Sequence, residues 1–219
     1  MVIDTLEGVQ LGGITQWIRV RGADASNPVL LLMQQGPGLP IINDARRLEH
    51  LLGLEHAFTV VYWDQRGTGL SSPSLRKNPN RFEISVTRMV DDTVTLLENF
   101  NSGLRALLLS LVRSPDYSAA DVIRALRGIS ASLAALLPRL ATTDLVRTMP
   151  RLDVPLVMAQ GRLDQVAPGE AAQRFHDSLT APSKQLVWFE NSAHTPHLEE
   201  PAKFRDLLMN VRASQLAST

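Results

Sequence analysis

The chain of 219 residues contains no cysteine, which excludes disulfides, thiolate catalysis and cysteine-ligated metals and fits a reducing compartment. Its five histidines form neither an HxH nor an HxxxH pair, and Pro196 separates His194 from His197. We therefore expect no metal site, no cofactor and a cytoplasmic location.

Net charge is also absent, because Lys plus Arg and Asp plus Glu number 22 each. No overall field attracts a phosphate backbone or anionic lipid, so we expect neither a nucleic acid nor a membrane as a partner. The acidic start of the chain lacks the basic and apolar regions of a signal peptide. The longest apolar runs, 29–33 and 106–109, are far shorter than the roughly 20 residues of a membrane span.

What remains is the pattern of a single α/β domain. A hairpin turning at Gly12-Gly13 opens the chain, and a strand–helix–strand order then predicts a parallel pair with a crossover. Two further apolar strands and a closing helix follow. The predicted elements are two hairpin strands within 9–21, strands at 29–33, 58–63, 154–160 and 186–190, and helices at 44–52, 85–98 and 201–213.

The two late strands each end in a residue with catalytic chemistry. Asp164 follows the strand at 154–160, and His194 follows the strand at 186–190. Loops after parallel strands lie at one edge of a sheet, so the two side chains are predicted to meet. An acid that orients a histidine is two-thirds of a nucleophilic hydrolase site.

Two glycine-containing loops follow the early strands. Gln35-Gly36-Pro37-Gly38 lets backbone amides approach a ligand closely. The second loop, Asp64-Gln65-Arg66-Gly67-Thr68-Gly69-Leu70-Ser71, contains two charged side chains. We expect Asp64 and Arg66 to anchor this loop through a salt bridge and backbone contacts, rather than to catalyse a reaction.

These motifs, in this order, resemble the α/β-hydrolases of the proline-iminopeptidase type, over about residues 9–98 and 150–213. The resemblance implies a three-layer α/β fold with serine-hydrolase chemistry on small esters or N-terminal peptide bonds. It also implies that Asp164 is the acid and His194 the general base. The oxyanion hole then takes a backbone N–H group from Gln35 or Gly36.

The family's nucleophile elbow, Gly-x-Ser-x-Gly after a strand, is not found. The nearest match, Gly128-Ile129-Ser130-Ala131-Ser132, lacks the final glycine and follows a helical pattern. Ser130 is thus the remaining nucleophile candidate, ahead of Ser102. We predict weak or no hydrolase activity. The alternatives are a non-catalytic binding or assembly scaffold, or a hydrolase that uses an unusual nucleophile such as Ser130.

The missing elbow also predicts an internally shortened hydrolase with about six strands in a mostly parallel sheet. The pattern fits a natural shortening, an engineered shortening and an error in the recorded sequence equally well. Residues 99–103 are predicted as a linker, and 104–112, 119–127 and 130–140 as short helices of a residual cap at 100–149. Loss of the central strands would leave a gap in the sheet. We expect either that strand 29–33 pairs with 156–160 to close it, or that a homodimer forms through the exposed sheet edge.

Overall fold

The structure is a computed structural model that describes residues 2–33, 38–72, 84–107, 119–140 and 142–216. The chain divides into two compact units. The N-terminal unit comprises Met1–Glu49 and Leu54–Ala141, and the C-terminal unit comprises His50–Gly53 and Thr142–Thr219. The union of the two units in a single hydrolase domain stays a prediction.

The N-terminal unit is built on a four-stranded mixed sheet in the order β1-β2-β4-β3. Strands β1 and β2 form the predicted hairpin, and β2 also pairs with β4 in antiparallel fashion. Strand β3 pairs with β4 in parallel, as the strand–helix–strand pattern predicts. The strands are β1 (Ile3–Leu11), β2 (Ile14–Gly22), β3 (Val29–Leu32) and β4 (Thr59–Asp64).

Strand β4 forms the centre of this unit, because all six of its residues are buried. Its Val61 and Trp63 belong to a core cluster with Ile18, Val20 and Leu11 of the hairpin. Burying large apolar side chains contributes roughly 1.5–3 kcal/mol each. This packing fixes the end of β4, from which the Asp64–Ser71 loop departs.

The α-helices described before residue 141 are α1 (Ala45–Leu52), α2 (Val86–Leu107) and α3 (Ala119–Leu140). Two predictions about them are wrong. Residues 99–103 belong to α2 and form no linker, so Ser102 lies within a helix. Residues 119–127 and 130–140 form one continuous helix, α3, rather than two. Pro138 lies in the last turn of α3 and does not divide it.

The C-terminal unit contains a parallel pair, β5 (Leu156–Gly161) and β6 (Lys184–Phe189), joined through α5 (Gly169–Ser178). Its other helices are α4 (Leu145–Thr148), α6 (Pro196–Glu199) and α7 (Pro201–Leu216). Phe189 of β6 is fully buried and packs against Phe204 of α7, with ring centroids 6.2 Å apart. The crossover and the closing helix agree with the sequence pattern.

The six strands form two sheets, of four and two strands. The predicted pairing of strand 29–33 with 156–160 would join the two units and stays a prediction. Each of these strands has one strand neighbour within its own sheet, β4 for β3 and β6 for β5. A homodimer through a sheet edge stays a prediction. No helix in the described ranges is long and apolar enough to cross a membrane.

Candidate active site

Asp164 lies in a tight turn directly after β5. Its backbone N–H is 3.4 Å from the Gly161 carbonyl oxygen that ends the strand. The carboxylate Oδ1 then accepts hydrogen bonds from the N–H groups of Val166 (2.8 Å) and Ala167 (2.9 Å). Because the turn's own backbone binds one carboxylate oxygen, the other oxygen is held in a fixed direction.

Two glutamates hold the loop that carries His194. The Glu200 carboxylate accepts from the Ser192 hydroxyl (2.6 Å) and the Asn191 N–H (3.1 Å). The Glu199 carboxylate accepts from the N–H groups of Ala193 (2.8 Å) and Thr195 (3.3 Å). These bonds fix the backbone on both sides of His194 and so restrict where its imidazole ring can lie.

Gly161 allows the two loops to approach each other. A Cβ atom at this position would lie 1.9 Å from the carbonyl oxygen of Ala193 and 2.5 Å from that of Ser192. Leu163 N–H also donates to the Ser192 carbonyl oxygen at 3.0 Å. Only glycine leaves room for this contact, so the spacing between the acid turn and the histidine loop depends on this one residue.

The Asp164 and His194 side chains meet, with Oδ2 and Nδ1 3.0 Å apart. Burial by itself raises the pKa of Asp164, but the hydrogen bonds from Ala167, His194 and Val166 outweigh burial and leave the pKa below its usual range. An ionised carboxylate only accepts, so Nδ1 carries the proton and donates it. The Asp164 side chain is 6% exposed and that of His194 is 50% exposed.

The proposed oxyanion loop and the Ser130 nucleophile stay predictions. Gln35 and Gly36 lie outside the described residues, as does the Ser130 side chain. The backbone at Ser130 lies in the middle of α3, with helix on both sides, and no strand leads into it. The strand-to-helix turn of a nucleophile elbow is therefore not present there.

The near-elbow sequence has a packing role in its helix. A Cβ atom at Gly128 would lie 2.2 Å from the carbonyl oxygen of Gly67. One turn later, the buried Ser132 hydroxyl is 3.5 Å from the same oxygen. Small residues at i and i+4 therefore let α3 approach the loop after β4. This accounts for the glycine and the second serine of the motif without catalysis.

The loop after β4 is anchored by its charged residues, and the prediction for Asp64 and Arg66 is confirmed. Asp64 accepts from the N–H groups of Ile41 (2.9 Å), Ile42 (3.1 Å) and Leu70 (2.9 Å). Arg66 Nε donates to Asp92 Oδ2 at 2.6 Å, and both side chains are 1% exposed. These groups are buried and satisfied within the N-terminal unit.

Sequence reasoning missed the residues that support the site. Glu199 and Glu200 follow His194 closely and look like ordinary acidic residues at the start of the last helix. Asp92 lies on a helical face 26 residues from its partner Arg66. A signal was available only for Gly161, as a glycine at a strand end. In the described part of the chain, no group of three His, Asp or Glu side chains is placed to hold a metal ion.

Comparisons with known proteins agree with this geometry. The family model for serine aminopeptidase, S33, matches residues 113–201, which include Asp164 and His194. The probable aminopeptidase YbaC of Bacillus subtilis is 25% identical over 305 residues, covering 94% of this chain and 95% of that protein.

Solved structures show the same fold. A proline iminopeptidase-related protein from Thermus thermophilus has a TM-score of 0.64 at 17% identity, over 96% of this chain and 98% of that one. An esterase from Exiguobacterium antarcticum has a TM-score of 0.64 at 17% identity, over 96% and 100%. With its Asp164 and His194 loops after neighbouring parallel strands, this chain has an α/β-hydrolase fold and is similar to aminopeptidases and proline iminopeptidase-related proteins.

Proposed function

We propose that this chain retains the acid–base part of a serine-hydrolase site, for esters or N-terminal peptide bonds, without a competent nucleophile. The observation that carries the proposal is the 3.0 Å hydrogen bond between Asp164 and His194. The aminopeptidase and esterase names of the relatives support the reaction class. The proposed activity is weak or absent.

The geometry supports a defined role for each residue of the pair. The ionised Asp164 holds the Nδ1 proton of His194, which leaves Nε2 as the basic nitrogen. Half of the His194 side chain is exposed, so Nε2 is open to a substrate or a water molecule. The proposed role of His194 is the general base, and that of Asp164 is to orient it.

The lack of an elbow is what limits the proposed rate. A nucleophile, base and acid act as a unit, and removing the serine costs nearly as much as removing all three. The Bacillus subtilis relative aligns over 305 positions, more than the 219 residues of this chain, so it contains residues with no counterpart here. This supports an internal shortening that took the elbow away.

The test is hydrolysis of p-nitrophenyl acetate by the full chain, with labelling by a fluorophosphonate probe. We expect slow turnover that His194→Ala abolishes and Ser130→Ala leaves unchanged, because an oriented imidazole takes a proton from a water molecule that attacks the activated ester without a serine. His197→Ala is the matched control, since it removes a histidine three residues away that lies against Phe204.

We expect no fluorophosphonate adduct on any serine. An adduct mapped to Ser130, together with loss of turnover in Ser130→Ala, would overturn the proposal in favour of an unusual nucleophile. Turnover that survives His194→Ala would show that the pair contributes nothing. If turnover also survives Ser130→Ala and no serine is labelled, only background hydrolysis remains, and a non-catalytic scaffold is the better description.

A further inference from the structure

We propose that the C-terminal unit contains a second ligand site, separate from the Asp164–His194 pair, that binds unbranched aliphatic carboxylates. The site is a cleft of about 740 Å³ between α4, β5 and α5. This volume lies within the range of about 300–1,000 Å³ typical of small-molecule sites. The inference concerns binding and does not depend on any hydrolase activity.

The walls of the cleft are apolar. Met158 of β5, Phe175 of α5, and Leu145 and Val146 of α4 are among the residues that line it. Leu145 is 47% exposed and Val146 is 40% exposed, although both are large aliphatic residues. Apolar side chains that line a concave surface and remain in contact with water favour an aliphatic ligand over a polar one.

The charged groups at the cleft favour a carboxylate head group. Arg174 lines the cleft, its side chain is 69% exposed, and its nearest carboxylate, on Glu170, is 4.0 Å away. The acidic residue of the lining, Asp144, is used locally, because its Oδ1 caps α4 by accepting from the Val146 N–H at 3.0 Å. Of the two charged residues that line the cleft, Arg174 rather than Asp144 is therefore available to a ligand.

Gln160, a polar residue of the cleft lining, is held by hydrogen bonds. The Gln160 side-chain amide donates to the carbonyl oxygens of Gly161 (3.1 Å) and Ala167 (3.0 Å). Ala167 also lines the cleft, and its N–H donates to Asp164 at 2.9 Å. A ligand in the cleft consequently contacts the turn that holds the acid, while the acid itself faces His194.

The experiment measures binding of hexanoate, octanoate and decanoate to the full chain by calorimetry, and repeats it with 1-octanol and octylammonium. We expect Kd to fall about fourfold for each added methylene, the equivalent of about 0.8 kcal/mol. Arg174→Gln should weaken octanoate binding at least fivefold and leave 1-octanol unchanged. Arg205→Gln, an exposed arginine of α7 beside Asp206, is the matched control.

A second variant tests the cleft itself. Ala171 is an exposed residue of α5 that lines the cleft, so Ala171→Trp should fill it without disturbing the fold, and should abolish binding of all three carboxylates. In NMR spectra of the unchanged protein, octanoate should shift the amide signals of Ala167 and Ala171. Binding without dependence on chain length, equal binding by Arg174→Gln, tighter binding of octylammonium or no binding at all would each overturn the proposal.

Discussion

Two arginine–carboxylate pairs, one in each unit, have similar geometry and opposite surroundings. Arg66 and Asp92 of the N-terminal unit are each 1% exposed, and Gln16 donates to the same carboxylate at 2.6 Å. Arg162 and Glu190 of the C-terminal unit form two hydrogen bonds, of 3.0 and 2.9 Å, with side chains 45% and 58% exposed. The same kind of arginine–carboxylate pair therefore holds a buried loop in the N-terminal unit and lies in solvent in the C-terminal unit.

The difference separates side chains that are buried in structural contacts from side chains that stay open to solvent. Arg66 is buried and donates to Asp92 and to the Gly12 carbonyl oxygen, so its guanidinium group is shielded from a substrate. His194 uses one nitrogen for its bond to Asp164 and keeps half of its side chain exposed. Both arrangements follow strand ends, so position in the chain alone does not distinguish them. Burial does, and the following predictions test that distinction.

The largest effect is expected from breaking the buried pair. Arg66→Met leaves the Asp92 carboxylate buried without its charge partner, and this should lower the free energy of unfolding by about 3–5 kcal/mol. Denaturant unfolding of the full chain measures the loss. Arg162→Met is the matched control and should have a much smaller effect, because its exposed pair is screened by water. Equal losses in the two variants would show that burial does not determine how much each pair contributes to stability.

The next effect is expected at Gly161, which separates the loops of the candidate site. In Gly161→Ala, the new Cβ would collide with the Ala193 carbonyl oxygen, so we expect a loss of about 1–3 kcal/mol. The His194 Nδ1–H signal in NMR spectra should move or disappear.

The control for this variant is Gly13→Ala in the hairpin turn. Gly13 has a φ of 80° but nothing within 4 Å of an added Cβ. Its substitution should cost about 1–2 kcal/mol through backbone conformation alone and leave the His194 signal in place. An unchanged signal in Gly161→Ala would show that the close approach does not set the geometry of the pair.

A smaller effect is expected from pH, with opposite signs in the two units. Burial raises the pKa of Glu55, against the hydrogen bond from Tyr62, which lowers it. The folded chain thus favours the protonated carboxyl group, and stability falls as the pH rises from the ordinary value of 4.5 through the raised pKa. Glu55→Gln should remove this fall, as measured by unfolding between pH 4 and 8.

Asp164 should behave in the reverse way. Its pKa lies below the ordinary value of 3.8, so the stability it contributes is present above that value and is lost as the pH falls through the lowered pKa. Asp164→Asn should flatten the acid side of the stability profile. If the two substitutions shifted the profile in the same direction, the environments of these carboxylates would not differ as described.

The sequence predicted the local features well, because they depend on short patterns. The strands that lead to Asp164 and His194 are continuous apolar runs that end in turn residues, and these features require no distant partner. The same holds for the Gly12-Gly13 turn, where both glycines have positive φ. The proximity of the pair then followed from the parallel order of the two strands.

The features that failed are set by distant contacts. The composition of residues 99–103, Asn-Phe-Asn-Ser-Gly, is typical of a linker, yet the helix continues through it. The sequence predicts that a helix ends at Gly128. In the structure the helix continues, and Gly128 is the point where α3 approaches Gly67.

The acid and the histidine are 30 residues apart, and the β5–α5–β6 unit between them closes the contact. Forming such a contact costs little loop-closure entropy compared with a contact that spans the whole chain. A serine supplied by an elbow elsewhere in the fold would be a long-range addition to this local arrangement. The contact between the pair is therefore local to the C-terminal unit, and an insertion or deletion far upstream would leave the sequence that forms it unchanged.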